Sequence, residues 1–403
     1  AIGLVVLTAL YTIFGGMKSV LYTSVLQTPI LLLGSLIILV LGFKELGGWD
    51  EMMRVCGAVT VNDYGDTMTN LIRSNDDANF PWLGALIGSA IIGFWYWCTD
   101  QFIVQRVLSG KNEKEARRGT IFGAYLKLLP VFLFLIPGMI AFALHQKYIG
   151  AGGEGFLPML ANGTANADAA FPTLVAKLLP AGVKGLVVCG ILAALMSSLA
   201  SLFNSSAMLF TIDFYKRFRP ETPEKKLVGI GQIATVVIVI LGILWIPIMR
   251  SVGDVLYTYL QDVQSVLAPG IAAAFLLGIC WKRTSAQGGM WGLIAGMVIG
   301  LTRLGAKVYY SNAGEVADST FKYLFYDMNW LFFCGWMFLF CIIVVIVVSL
   351  ATEAPTAEKI QGLVFGTATK EQKAATRASW DHWDIIHTAI ILAITAAFYW
   401  YFW

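Results

Sequence analysis

Apolar stretches of about twenty residues or more, each long enough to cross a bilayer as a helix, recur along the whole of this 403-residue chain, and no other feature limits its fold so severely. Lipid offers the backbone no hydrogen bonds, so every such stretch must satisfy its own N–H and C=O groups, which an α-helix does. Composition agrees. Hydrophobic residues make up 58% of the chain and charged residues 13%, whereas soluble domains carry about 25% charged residues. The expectation is an all-α polytopic membrane protein, multi-pass in a cell (inner or plasma) membrane, with 1–403 forming one transmembrane domain.

Other classes fall away on the same grounds. The net charge of +3 is small and no long Lys/Arg tract is present, so nucleic acid is not an expected partner. Cys56, Cys98, Cys189, Cys280, Cys334 and Cys341 form no CxxC pair and read as small apolar side chains in packed helices. The histidines, His145, His382 and His387, sit at span ends or loops. There is no Walker-type phosphate loop, so an ATP-driven pump is not expected, and no acidic catalytic pair or metal cluster, so an enzyme is not expected either. The chain opens inside a hydrophobic stretch, as if helices before it were missing.

Ten spans are expected, over 1–15, 19–43, 82–106, 119–144, 183–215, 227–249, 255–281, 286–308, 329–351 and 383–403. Basic residues then alternate by side. Lys18, Arg106/Lys111/Lys114/Arg117/Arg118, Lys216/Arg217/Arg219/Lys225/Lys226, Lys282/Arg283 and Lys359/Lys370/Lys373/Arg377 fall on one face. Segments 44–81, 145–182, 250–254 and 309–328 fall on the other. The basic face is cytoplasmic, and Phe402–Trp403 end outside. The charged stretch 353–381 reads as a solvated cytoplasmic linker, and Phe171–Pro180 as a short amphipathic piece on the outer side.

Function shows in the polar groups kept inside apolar spans, where each is costly. Lys127, in Tyr125-Leu126-Lys127-Leu128-Leu129-Pro130, must face a partner or a wet cavity, or else snorkel to the interface. Pro130 and Pro137 would bend the same helix. Trp95-Tyr96-Trp97-Cys98-Thr99-Asp100-Gln101 offers flat rings with polar tips, suited to a pyranose, although rings also anchor helices at interfaces. Ala194, Ser197 and Ser198 share one helix face. Two hydroxyls and a freed Ala194 carbonyl would suit Na⁺, while tight helix packing is the competing reading. Gln261, beside Asp262 and Gln264, carries the donor and acceptor a sugar hydroxyl needs, or bonds a neighbouring helix.

The runs from Trp95 to Arg106, Tyr125 to Lys127, Leu195 to Ser201, Leu209 to Tyr215 and Ala273 to Arg283 together resemble the sodium–glucose (galactose) branch of the sodium/solute symporter family, in order along the chain. The resemblance implies a five-plus-five inverted-repeat core like that of amino acid/sodium symporters, beginning here at the fourth core helix. Core helices would fill 1–281, and peripheral helices 286–403 with the loop 353–381. It implies sodium-coupled symport of a hexose such as glucose or galactose by alternating access. Tyr96 would then gate the sugar from below with Trp97 beside it, Lys127 and Gln261 would bond its hydroxyls, and Ala194, Ser197 and Ser198 would ligate sodium. Gly93 stands where relatives place a polar sugar contact. Ser24 stands where they carry an aspartate near the inner sodium exit. Myo-inositol, another polyol or an organic acid as substrate, or a non-transporting sugar sensor, are the competing readings.

Overall fold

The computed structural model describes residues 2–160, 163–249, 256–312 and 317–403, with the side chains of 14–21, 23, 24, 26, 245, 247–249, 256–259 and 312 outside that description. The expected connection at 250–254 therefore lies outside the described residues.

Helices account for the architecture, and among the described residues β-structure is limited to three isolated bridges. In chain order they are α1 (Ile2–Leu46), α2 (Trp49–Gly57), α3 (Trp82–Phe94), α4 (Gln101–Leu108), α5 (Glu113–Pro130), α6 (Ile136–Gly150), α7 (Ala170–Leu178), α8 (Ala181–Met208) and α9 (Lys216–Phe218). They continue with α10 (Glu224–Met249), α11 (Leu256–Cys280), α12 (Ala286–Asn312), α13 (Thr320–Lys322), α14 (Trp330–Ala351), α15 (Ala357–Ile360), α16 (Lys370–Ala378) and α17 (His382–Tyr401). Wider π-helical turns follow α3, α5, α8 and α13, at Trp95–Thr99, Val131–Leu135, Leu209–Tyr215 and Tyr323–Asp327.

The first two expected spans, 1–15 and 19–43, are one uninterrupted helix, α1. Gly15 and Gly16 weaken a helix without removing a donor, so nothing in that segment breaks the ladder as proline would. The 45 residues of α1 would measure about 68 Å, roughly twice the hydrocarbon thickness. Among its described residues Gln27–Leu46 is long and apolar enough to cross, and Ile2–Ile13 is a shorter apolar stretch. Among the described residues nine helices qualify as crossings, one fewer than the sequence suggested.

Hydrogen bonds test the sidedness. Leu71 N–H donates to the Phe402 carbonyl at 2.8 Å and Asn70 Nδ2 to the Trp403 carbonyl at 3.1 Å. Asn329 Nδ2 donates to the Ala78 carbonyl at 2.7 Å, and Trp330 Nε1 to that of Asn79 at 3.2 Å. The end of α17 and the start of α14 thus stand on the face that carries 60–81. An even number of crossings separates 60–81 from each of them, as the charge alternation requires. On the opposite face Arg283 Nη2 donates to the Thr352 carbonyl at 2.7 Å, and Phe365 N–H to that of Ile279 at 2.7 Å. The second bond docks the stretch 353–381 on the end of α11. That stretch carries α15 and α16, the latter started by a Thr369/Gln372 capping box, and is more ordered than a plain linker.

The chain divides into two compact units, one formed by Ala1–Val59 and Leu126–Asp254, the other by Thr60–Tyr125 and Val255–Trp403. In the first, α8 lies along α1 so closely that a Cβ on Gly34 would come within 2.6 Å of Val187 Cγ2. The expected amphipathic piece on the outer side is α7, which buries Leu174 and Val175, while Lys177 Nζ donates to the Phe156 carbonyl at 2.8 Å. In the second unit Ile91 and Ile92 of α3 pack with Ala268 and Ala272 of α11 and with Trp330, Leu331 and Cys334 of α14. Ala273 of α11 packs instead with Phe333, Met337 and Cys341.

Candidate substrate and sodium sites

The aromatic run occupies an irregular piece of helix, where the sequence suggested an unbroken span over 82–106. The π turn Trp95–Thr99 ends at Asp100, which is extended (φ −73°, ψ 120°) and caps α4 by accepting Phe102 N–H at 3.0 Å. An aspartate at that position favours a helix start over continuation, which is why the span breaks there. Thr99 Oγ1 and Asp100 N–H both donate to the Trp95 carbonyl, at 2.7 and 3.1 Å, and so close the turn. Such turns recur at functional sites because they re-aim side chains that a regular helix would stack. Here the rings fan out. Tyr96 and Trp97 meet edge to face at 5.3 Å, Trp95 and Tyr96 are tilted at 6.1 Å, and Trp97 is 49% exposed. A Cβ on Gly93, half a turn before the fan, would meet no atom within 4 Å, so open space borders the rings.

Gln261 lies on the helix that faces this turn. At about 100° per residue it shares a stripe of α11 with Ala268 and Ala272, seven and eleven positions on. That stripe packs on Ile91 and Ile92, with Trp95 and Phe94 at the edge of the contact. Both helices run from the face that carries 60–81, the expected outer one, toward the basic face. Gln261 therefore stands outward of the contact and Tyr96 inward of it, and the two bracket a depth from opposite ends.

The remaining expected site residues belong to the other unit. Lys127 is exposed on α5, three residues before Pro130 and the π turn Val131–Leu135, where the sequence placed it in a span and needing a partner or water. Ala194, Ser197 and Ser198 sit on adjacent turns of α8. Ser197 is buried and Ser198 exposed. Because α8 runs unbroken from Ala181 to Met208, the Ala194 carbonyl stays in the helical ladder and has only its second lone pair to offer. Ser201 Oγ donates to the Ser197 carbonyl at 3.0 Å and Ser205 Oγ to that of Ser201 at 2.7 Å, so the hydroxyls further along turn back on their own helix. The Ser24 side chain lies outside the described residues.

Sequence reasoning missed a buried charge cluster. Asp262 accepts from Lys307 Nζ and, at 3.5 Å, from Arg303 Nη2. Arg303 is fully buried, donates to the Met328 carbonyl at 2.8 Å and lies over the Phe333 ring at 4.0 Å. The available signal was two cations one turn apart in the expected span 286–308, which demand an acid nearby.

Helices interrupted at clusters of polar and aromatic residues, inside a protein with nine crossings among its described residues, define a multi-pass membrane protein of the transporter kind. Comparison with known proteins agrees. A family model described as sodium:solute symporter family matches residues 1–296. The chain is 36% identical to the sodium/mannose cotransporter of Bos taurus over 98% of its own length and 70% of that protein. It is 38% identical to sodium/glucose cotransporter 1 of Ovis aries over 87% of the chain and 55% of the relative. To sodium/myo-inositol cotransporter 2 of Homo sapiens it is 36% identical, over 91% and 56%. A solved structure of a Na⁺-coupled sialic acid symporter in a substrate-bound outward-open state shares the fold, with a TM-score of 0.65 and 21% identity over 88% of this chain and 66% of that one. The chain belongs to the sodium:solute symporter family, and its fold is that of the inverted-repeat sodium symporters. It spans only 55% to 70% of the curated relatives just named.

Proposed function

We propose that this chain carries the substrate and sodium sites of a sodium-coupled symporter for a hexose or a close polyol. The observation that carries the reading is the ring fan at Trp95–Thr99, bordered by open space at Gly93 and faced by the α11 stripe that bears Gln261. A pyranose presents apolar C–H faces and an equatorial rim of hydroxyls, which call for flat rings and for groups that both donate and accept. Tyr96 and Trp97 supply the first and Gln261 the second, while Lys127 offers donors but no acceptor. The relatives, named for mannose, glucose and myo-inositol, support a neutral polyhydroxy substrate. Sodium would take the hydroxyls of Ser197 and Ser198 and the free lone pair of the Ala194 carbonyl. These are hard oxygen ligands that place no carboxylate in the span. Ser24 would lie on the inner exit path. The family and the relatives named above are transporters, which supports transport rather than enzymatic chemistry.

Coupling requires sodium to bind the outward-facing state better than the inward-facing one, so that sodium loss to the cytoplasm frees the sugar. The membrane potential adds about 2.3 kcal/mol per charge per 100 mV. The test is uptake by the full-length protein in proteoliposomes of labelled glucose, galactose, mannose and myo-inositol in turn, with a sugar acid as control. Concentrative uptake that disappears when choline replaces sodium is the expected result. Uptake indifferent to sodium, or no uptake of any neutral sugar or polyol in the panel, would refute the reading.

A further inference from the structure

The Asp262 cluster lies one residue from Gln261 and belongs to neither proposed ligand set. Two cations and one carboxylate in a membrane span are expensive to keep there. Their geometry shows what they hold. Arg303 and Lys307 are four positions apart on α12 and present one face to α11. Arg303 also reaches the chain between α13 and α14, through the Met328 carbonyl at 2.8 Å, and stacks on Phe333 of α14. The Leu324 carbonyl, within the π turn Tyr323–Asp327, accepts a longer bond at 3.4 Å. This surrounds the guanidinium with carbonyl dipoles and a ring face, and leaves the Asp262 carboxylate chiefly to Lys307.

The consequence for α11 is rotational. Asp262 shares its stripe with Ala273, eleven positions on, and Ala273 packs in the Phe333–Met337–Cys341 cluster. Gln261 shares its stripe with Ala268 and Ala272, which pack on α3. The two stripes lie about 100° apart. From Pro269 inward small residues hold the helix, Ala272 against α3, Ala273 against α14 and Gly270 against Gly296 of α12. One turn in from Asp262 the same stripe carries Val266, which is buried against Gly300 of α12, and the charged contact adds a second tie to α12 one turn further out.

We propose that Asp262 and Lys307, backed by Arg303, are positioning residues that fix the rotation of α11 about its axis and so aim Gln261 at the substrate. The inference rests on the reading that Gln261 contacts the sugar. It assigns the pair an effect on sugar affinity and none on sodium affinity, because the hydroxyls offered to sodium stand on α8.

The experiment uses the full-length protein in proteoliposomes, with sugar KM at saturating sodium and the sodium concentration for half-maximal uptake measured separately. The variants are Asp262→Asn, Lys307→Gln, the exchange Asp262→Lys with Lys307→Asp, and Gln261→Ala as reference. Only variants that elute as a single folded species are scored. Asp262→Glu, which keeps the charge and shifts its reach, stands in should both single neutral variants fail to fold. The expected result is a sugar KM raised about tenfold in the single variants, with half-maximal sodium changed less than about twofold and the exchange recovering most of the loss. Folded single variants with unchanged sugar KM would overturn the inference, as would equal shifts in sugar and sodium. If Gln261→Ala raises sugar KM and the pair's variants do not, the clamp alone falls. If Gln261→Ala itself has no effect, the sugar reading of Gln261 falls and takes the clamp with it.

Discussion

Ser197 and Ser198 are neighbours in sequence and strangers in environment: the first is buried in α8's packing, the second exposed, and the next hydroxyl along, Ser201, donates back to the Ser197 carbonyl at 3.0 Å. A sodium ion at this face would draw on Ser198 for a ligand that nothing in the helix replaces. Ser198→Ala is expected to raise the sodium concentration for half-maximal uptake about tenfold, the size of one lost oxygen contact, with little change in sugar KM at saturating sodium. Ser201→Ala, whose hydroxyl is already spent on its own backbone, should leave both within about twofold. Sodium titrations of uptake by the two variants decide the matter, and equal responses would detach Ser198 from the ion. The residue scale is also where the sequence was least able to speak. Asp262 was visible as a polar residue in a span, but its partnership with Arg303 and Lys307 depends on α12 lying alongside α11.

Between elements, glycines report two different kinds of space. A Cβ on Gly296 of α12 would stand 2.9 Å from the Gly270 Cα of α11, and a backbone atom cannot rotate out of the way. Gly296→Ala should therefore force the helices apart and lower the apparent Tm of the purified protein by several degrees, in line with about 1–3 kcal/mol of overpacking. Gly93→Ala meets nothing within 4 Å and should leave Tm unchanged. A change in sugar KM in that variant would mark the open space as part of the substrate's. The outer segment 60–81 carries a pH dependence of its own. Asp66 accepts from Asn62 Nδ2 and Ser74 N–H, both at 2.7 Å, which holds its carboxyl below the usual range. Burial would push the Asp77 carboxyl up, but N–H donors from Phe80 and Asn79, at 2.7 and 2.9 Å, outweigh it and hold it low. Groups depressed in this way stabilise the folded segment above the unfolded aspartate pKa of about 3.9, and the contribution is lost as pH falls through the folded value. Hydrogen exchange of the Asp66 and Ser74 amides, corrected for intrinsic rates, should stay slow from about pH 8 to 5 and quicken below about pH 4. Protection that persists at pH 3 would contradict the network.

For the whole molecule the parity of crossings is the claim most open to test. Single cysteines at Asp63 or Asp318 should react with a membrane-impermeant maleimide added outside oriented vesicles, and cysteines at Lys114 or Glu371 only after permeabilisation. Cys98, Cys189 and Cys280 are the exposed native thiols that must first be replaced, since Cys56, Cys334 and Cys341 are buried. Labelling of Asp63→Cys and Glu371→Cys from the same side would break the alternation. Much of this scale was legible beforehand. Basic residues mark the ends of most spans on one face, and the bonds from 60–81 to the start of α14 and the end of α17 agree with that pattern. At α1 the sequence suggested a connection around Lys18, where the backbone instead continues as one helix.

By itself the sequence determined the solvent, the helical class, the alternation of charge between connections and the segments that carry polar chemistry. All of these follow from how long an apolar run is and which charges flank it, quantities that each segment owns without reference to its neighbours. The tertiary structure alone decided the stripe of α11 that faces Trp95, Tyr96 and Trp97, and the pairing of Asp262 with two cations of α12. Those depend on which helix packs against which, and at what rotation, and only contacts between segments distant in the chain carry that information.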